Sequence, residues 1–154
     1  MTHSFLGIFK NHFLITGVFS WLLAQVLKLI IHSIIYKKFD FMRLFGDGGM
    51  PSGHSATVAS LATAAALHFG FTSFEFAIAA ILALIVCHDA MGVRLETGKQ
   101  AVVLNEIIEA FNVFSTEKLP EVKLKEFVGH TPVQVVSGVI IGVLNASFIY
   151  SIFF

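Results

Sequence analysis

The sequence predicts an all-α protein: a polytopic bundle of about four membrane-spanning helices with one amphipathic helix on the membrane surface. Three observations carry this expectation. Hydrophobic residues make up 56% of the 154 residues and charged residues only 13%, against roughly a quarter in soluble domains. Four apolar segments approach the ~20 residues that a helix needs to cross a bilayer. Most charged residues fall in the stretches that separate them. At this length the chain reads as one membrane-embedded domain, residues 1–154.

The first segment runs roughly from Phe13 to Tyr36. No charged leader precedes it and no small-residue cleavage site follows, so it reads as a retained helix rather than a signal peptide. The second runs from about Gly53 to Phe69 and the third from about Phe76 to Val93. Gly70-Phe71-Thr72-Ser73 joins these two as a tight uncharged turn, which predicts an antiparallel hairpin. Ala56, Ala59, Ser60, Ala62, Ala64, Ala65 and Ala66 make the second segment rich in small residues, which favour close helix packing. The fourth runs from about Val133 to Phe154, and its Gly138 and Gly142 form a Gly-x-x-x-Gly pair. Between the third and fourth lies a polar region from Arg94 to about Thr131. There Ala101, Val102, Leu104, Ile107, Ile108 and Phe111 recur at helical spacing, with Gln100, Asn105, Glu106 and Glu109 between them. That pattern predicts the amphipathic surface helix, broken around Ser115–Pro120. The seventeen phenylalanines read as lipid-facing and core filling, and Cys87 as a small packed residue.

Charge predicts topology and narrows function. Alternation of four helices places Lys37, Lys38, Arg43, Arg94, Lys99, Lys118, Lys123 and Lys125 on one side, eight of the ten Lys and Arg residues. The positive-inside rule makes that side cytoplasmic and puts both termini outside, in the inner (cell) membrane of a bacterium. Net charge is zero and no basic tract interleaves with aromatics, so nucleic acid is not an expected partner.

The chemistry concentrates in Gly48-Gly49-Met50-Pro51-Ser52-Gly53-His54-Ser55-Ala56. A Gly/Ser loop that opens into a helix presents backbone N–H groups at the positive end of the helix dipole, which suits phosphate. His54 adds a group able to donate or accept a proton near neutral pH. The predicted alternation brings Arg94 and Gly129-His130-Thr131-Pro132 to the same membrane face. Each residue has an ordinary reading: His54 as a cap or interfacial side chain, Arg94 as a positive-inside anchor, His130 as a loop residue. Together they describe a phosphate pocket in which the planar fork of Arg94 clamps oxygens.

The order Pro51-Ser52-Gly53-His54, then Arg94 after the next helix, then His130 opening a later one, resembles the type 2 phosphatidic acid phosphatase and vanadium haloperoxidase superfamily. The stretches GGMPSGHSA, DAMGVRLETGKQAVVLN and GHTPVQVVSG look more specifically like its small divergent membrane branch, over about Gln25 to Gly142. The resemblance implies that His130 is the nucleophile, forming a phosphohistidine, and that His54 is the general acid. It implies that Arg94 and the backbone of Ser52 and Gly53 hold the phosphate oxygens. The superfamily's first motif spaces a lysine and an arginine seven apart; this chain has no such pair, and Lys28 is the match, with Arg43 as a second candidate. The superfamily also carries an acid four residues after the nucleophile to orient the imidazole, where this chain has Gln134. Asp89 is a candidate to compensate, its ordinary reading being an ion pair with Arg94 or Lys99. Typical members have six helices, so a trimmed bundle implies completion by self-association.

These readings converge on a lipid phosphatase without metal or other cofactor. Its substrate is a phosphomonoester or diphosphate of a membrane lipid, such as phosphatidylglycerophosphate or phosphatidic acid. The alternative is a catalytically weak or inactive membrane protein that binds or transports anionic lipids, which Gln134 favours. A metal site built from His54, His88, Asp89 and His130 is a third reading. No two of these histidines have the i, i+4 spacing that would put them on one helix face, and zinc needs a closed ligand set.

Overall fold

The computed structural model describes residues 5–37, 39, 48–114, 123–126 and 129–153. Lys38, Arg43, Lys118, Phe154 and the break expected at Ser115–Pro120 lie outside them. A 3-10 turn, Phe5–Lys10, leads into α1 (His12–Tyr36), followed by α2 (Gly53–Phe69), α3 (Phe74–Met91), α4 (Val93–Phe114) and α5 (Pro132–Phe153). Among the described residues the fold is entirely helical.

Local chemistry sets the boundaries. Asn11, Ser52 and Ser73 cap α1, α2 and α3, each accepting a hydrogen bond from the backbone N–H three residues on. Gly70, at φ 85°, ends α2 in a conformation that disfavours side chains. Gly92 interrupts α3 and α4, its N–H donating to the carbonyl of His88 at 2.9 Å.

Helix α2 is the hub, packed against α1, α3 and α5. Its Ser55, Ala56 and Ser60 are wholly buried, and this small-residue surface lets neighbouring backbones come close. A Cβ on Gly138 would overlap the carbonyl oxygen of Ser52, and one on Gly142 that of Ala56. The Gly-x-x-x-Gly pair is therefore the α5 face against α2. Gly142→Leu is expected to force these helices apart and cost at least the roughly 1–3 kcal/mol of an overpacked core, read as a lowered thermal midpoint in detergent. Deeper in the bundle, Asn145 Nδ2 donates to Ser20 Oγ at 2.7 Å, tying α5 to α1.

Among the described residues, three stretches are long and apolar enough to cross a membrane: α1, the α3–α4 arm Phe74–Phe114, and α5. The expected fourth crossing falls on α2. With 17 residues it is about 25 Å long, at the lower end of the spanning range, and it is not among these three. Its alanines and serines serve packing against three neighbours rather than contact with lipid.

The same logic corrects the expectation for phenylalanine. Of the phenylalanines from Phe9 on whose side chains are described, none is buried; Phe19, Phe74 and Phe148 are more than half exposed. Most of the interior is Ala, Ser, Thr and Gly, and most large apolar side chains face outward, where a bilayer would solvate them.

Helix α4 makes its helix contacts with α3 and exposes Val103, Leu104, Ile107 and Phe111; the helix itself is the one expected from the sequence. Asn105 holds the returning chain against it, with Nδ2 donating to the Leu124 carbonyl and Oδ1 accepting from the Leu124 N–H, both at 3.0 Å.

Candidate active site

Three backbone contacts assemble one end of the bundle. The N–H of His130 donates to the carbonyl of Ala90 in the last turn of α3 at 2.9 Å, and the N–H of Ser52 donates to the carbonyl of Gln134 at 3.0 Å. Gly129 sits at φ 90°, so close to α4 that a Cβ there would overlap the backbone of Arg94 and Leu95. The start of α2, the end of α3, the start of α4 and the start of α5 are thus fastened together. Gly129→Ala is expected to push His130 off α3 and α4 and, at φ 90°, to cost roughly 1–3 kcal/mol, read as a lowered thermal midpoint in detergent.

A cleft of about 220 Å³ opens at this junction, lined by His54, Ile85, Val86, Asp89, Ala90, Arg94, Gly129 and His130. The rings of His54 and His130 lie 6.4 Å apart, centroid to centroid. His130 is buried at 3% exposure, while His54 is exposed on the first turn of α2. One cleft thus carries a buried histidine and an accessible one.

Gln134 Oε1 lies 3.1 Å from the backbone N–H of Thr131 and 3.2 Å from His130 Nδ1. A backbone N–H can only donate, so the amide atom facing it is the carbonyl oxygen. A neutral ring that donates to this oxygen from Nδ1 keeps its lone pair on Nε2. Gln134 thus brings a neutral acceptor to His130, without a negative charge.

Arg94 Nε donates to Asp89 Oδ2 at 2.8 Å, in a pair almost half exposed on both sides. The bond uses one edge of the guanidinium and leaves its terminal amino groups to meet an anion. Asp89 is engaged with Arg94, and it is Gln134 that bonds His130 Nδ1. Lys99 pairs with Glu96 at 2.7 Å on the exposed face of α4 and is not among the cleft residues.

Ser52, Gly53 and Lys28 are buried beside the cleft rather than lining it. Ser52 Oγ accepts from Ser55 N–H at 3.3 Å and Ser55 Oγ at 2.9 Å, so its hydroxyl is spent on the cap of α2. Lys28, 4% exposed, runs its stem past Gly49, where a Cβ would sit 3.5 Å away. Arg43, the second candidate, lies outside the described residues. Of the residues weighed as metal ligands, His54, Asp89 and His130 share the cleft, and among the described residues no three His, Cys, Asp or Glu form a group that could hold a metal ion.

Two features escaped the sequence reading. Gln25 on α1 is 6% exposed, its carbonyl oxygen has no hydrogen-bond partner, and its Cδ lies 3.9 Å from where a Gly53 Cβ would be. The available signal was a polar residue three before Lys28 in an apolar helix. Gly129 was legible only as a turn glycine, because what it approaches comes from another helix.

A family model described as the divergent PAP2 family matches residues 9–145. The "Uncharacterized membrane protein YuiD" of Bacillus subtilis (strain 168) is 39% identical over 146 residues, covering 89% of this chain and 92% of that protein. No solved structure matches the chain. With its helical membrane bundle and the family match over most of its length, the chain belongs to the divergent PAP2 family.

Proposed function

We propose that this protein is a membrane lipid phosphatase that works through a phosphohistidine. The observation that carries the proposal is the placement of His54 and a buried His130, held at Nδ1 by Gln134, in one cleft with Arg94. His130 Nε2 attacks phosphorus as the bond to the ester oxygen breaks, and His54 gives its proton to the departing alkoxide. Water, deprotonated by His54, then attacks the phosphohistidine, releasing inorganic phosphate and restoring His130. The step asks for positioning and charge neutralisation, and Arg94 is the cation that lines the cleft.

The cleft lies at a bundle end flanked by apolar helices, which suits a phosphate in water attached to a hydrocarbon body. The positive-inside inference assigns this end to the cytoplasm of a bacterial cell, favouring a lipid phosphate made there, such as phosphatidylglycerophosphate or phosphatidic acid. A prenyl diphosphate presented outside the cell would require the opposite orientation. The small bundle, relative to six-helix members, supports self-association.

Phosphate release by purified protein from a panel of lipid phosphates, with His130→Ala as control, tests the proposal. Orthovanadate is expected to inhibit below millimolar concentration, since a trigonal-bipyramidal oxyanion mimics the transferring phosphoryl group. Robust activity indifferent to millimolar vanadate would point to other chemistry. Gln134 favours a second reading, a protein that binds anionic lipids without turnover, because its neutral amide does little to stabilise an imidazolium. Saturable binding of lipid phosphate with no release across the panel would select that reading.

A further inference from the structure

A second cavity begins where the cleft ends. An apolar groove of about 400 Å³ shares His54 and Val86 with the polar cleft and runs between α1 and α2. Phe13, Gly17 and Trp21 form its wall on α1, and Thr57 and Leu61 form its wall on α2. His54 at its mouth is the one ionisable side chain among its described lining residues. The Thr57 hydroxyl within it already donates to the Gly53 carbonyl at 2.8 Å, so the wall asks nothing polar of an occupant. At its far end Phe13 stacks on Phe69 with ring centroids 5.3 Å apart.

We propose that this groove holds one hydrocarbon chain of the substrate and so makes the protein selective for chain length. The inference rests on the phosphatase reading above, because His54 is both the proton donor to the leaving oxygen in that reading and the mouth of the groove. A chain attached to the oxygen that His54 protonates has the groove directly before it. The helical stripe on α1 has the same polarity as such a ligand. Phe13, Gly17 and Trp21 are followed at helical spacing by Gln25 and Lys28, buried beside Gly53 and Gly49. Apolar wall thus turns to polar wall at the level of His54. From Phe13 to Trp21 the groove is about 12 Å long at the rise of an α-helix, which fits about nine carbons of an extended chain. Carbons beyond that leave into the bilayer.

The test uses the full chain in phosphatidylcholine nanodiscs. The substrates are single-chain acylglycerol phosphates and, as a short reference, monobutyl phosphate. In Gly17→Phe the ring fills the groove, and kcat/KM for a sixteen-carbon substrate is expected to fall on the order of tenfold through lost positioning, with monobutyl phosphate turnover changed less than about twofold. Leu61→Trp blocks the same groove from α2, so that a folding defect in one variant does not decide the matter. Ile15→Phe, on the exposed part of α1 outside the groove, is the control and should leave the profile unchanged. In parallel, a sixteen-carbon probe with a diazirine at carbon 8 should label the peptides of Gly17 and Leu61, and excess unlabelled substrate should suppress that labelling.

Equal loss on long and short substrates in both groove variants, or labelling spread over lipid-facing residues such as Ile81 and Ile140, would overturn the groove while leaving the phosphatase reading intact. Cross-links between two copies at these residues would overturn it in favour of a dimer interface. Wild-type protein that releases phosphate from none of the substrates would instead remove the phosphatase reading, and this inference with it.

Discussion

Replacing His130 by alanine is expected to abolish phosphate release and any acid-labile phosphoenzyme, a loss of roughly 10⁴-fold or more, as for removal of other covalent nucleophiles. His54→Ala should fail differently. With a lipid alkoxide as leaving group it should also lose most of its turnover, since the alkoxide departs as a strong base unless protonated. With an aryl phosphate, whose phenolate leaves without help, it should still form the phosphoenzyme. The two side chains face one cleft, His130 at 3% exposure and His54 open to solvent, which matches a fixed nucleophile and an acid that exchanges protons with water. Rapid-quench measurement of phosphoenzyme with the two substrate types separates the roles. A fully active His130→Ala would discard the nucleophile assignment.

Gln134→Leu is expected to lower kcat by about 10²–10⁴-fold, as when a catalytic imidazole loses the group that holds its tautomer. Gln134 Oε1 is the acceptor for both His130 Nδ1 at 3.2 Å and the Thr131 N–H at 3.1 Å. Removing it releases the ring and uncaps the first turn of α5 together. Gln134→Glu should keep the rate or raise it: a carboxylate accepts the same two bonds and adds a charge that stabilises the imidazolium formed on attack. Asp89→Asn should act through Arg94, which it holds at 2.8 Å, and so raise KM more than it lowers kcat. Loss of activity in Gln134→Glu, with Asp89→Asn governing kcat, would show that His130 depends on Asp89 instead. Steady-state kinetics on the three variants, with pH profiles of kcat, decide between the two.

The helices were legible in the sequence because each rests on local chemistry. Apolar length defines α1 and α5, serine caps begin α2 and α3, and Gly70 ends α2. Four ranges agree with the expected ones to within one or two residues. The motif around Pro51–His54 and the histidine before Pro132 were equally plain, since a loop opening into a helix is a contiguous signal. The role of α2 was less legible. Its alanines read as an apolar span, and only the packing shows that it is the hub, buried among three helices.

The sequence by itself determined the class of the protein: a membrane bundle with two histidines and an arginine near helix ends, and glutamine in place of an acid at position 134. Tertiary structure alone decided which of these residues meet. Asp89 is bound by Arg94 while Gln134 takes the imidazole of His130, and Ser52 turns inward to its cap. Gly129 fits because α4 runs against it, and the cleft continues past His54 into an apolar groove. The physical reason is range. Capping, periodicity and hydropathy act within a few residues, so they can be read along the chain. Which lone pair faces which N–H depends on how close α2, α3, α4 and α5 approach, and glycines at positions 129, 138 and 142 set that distance across helices.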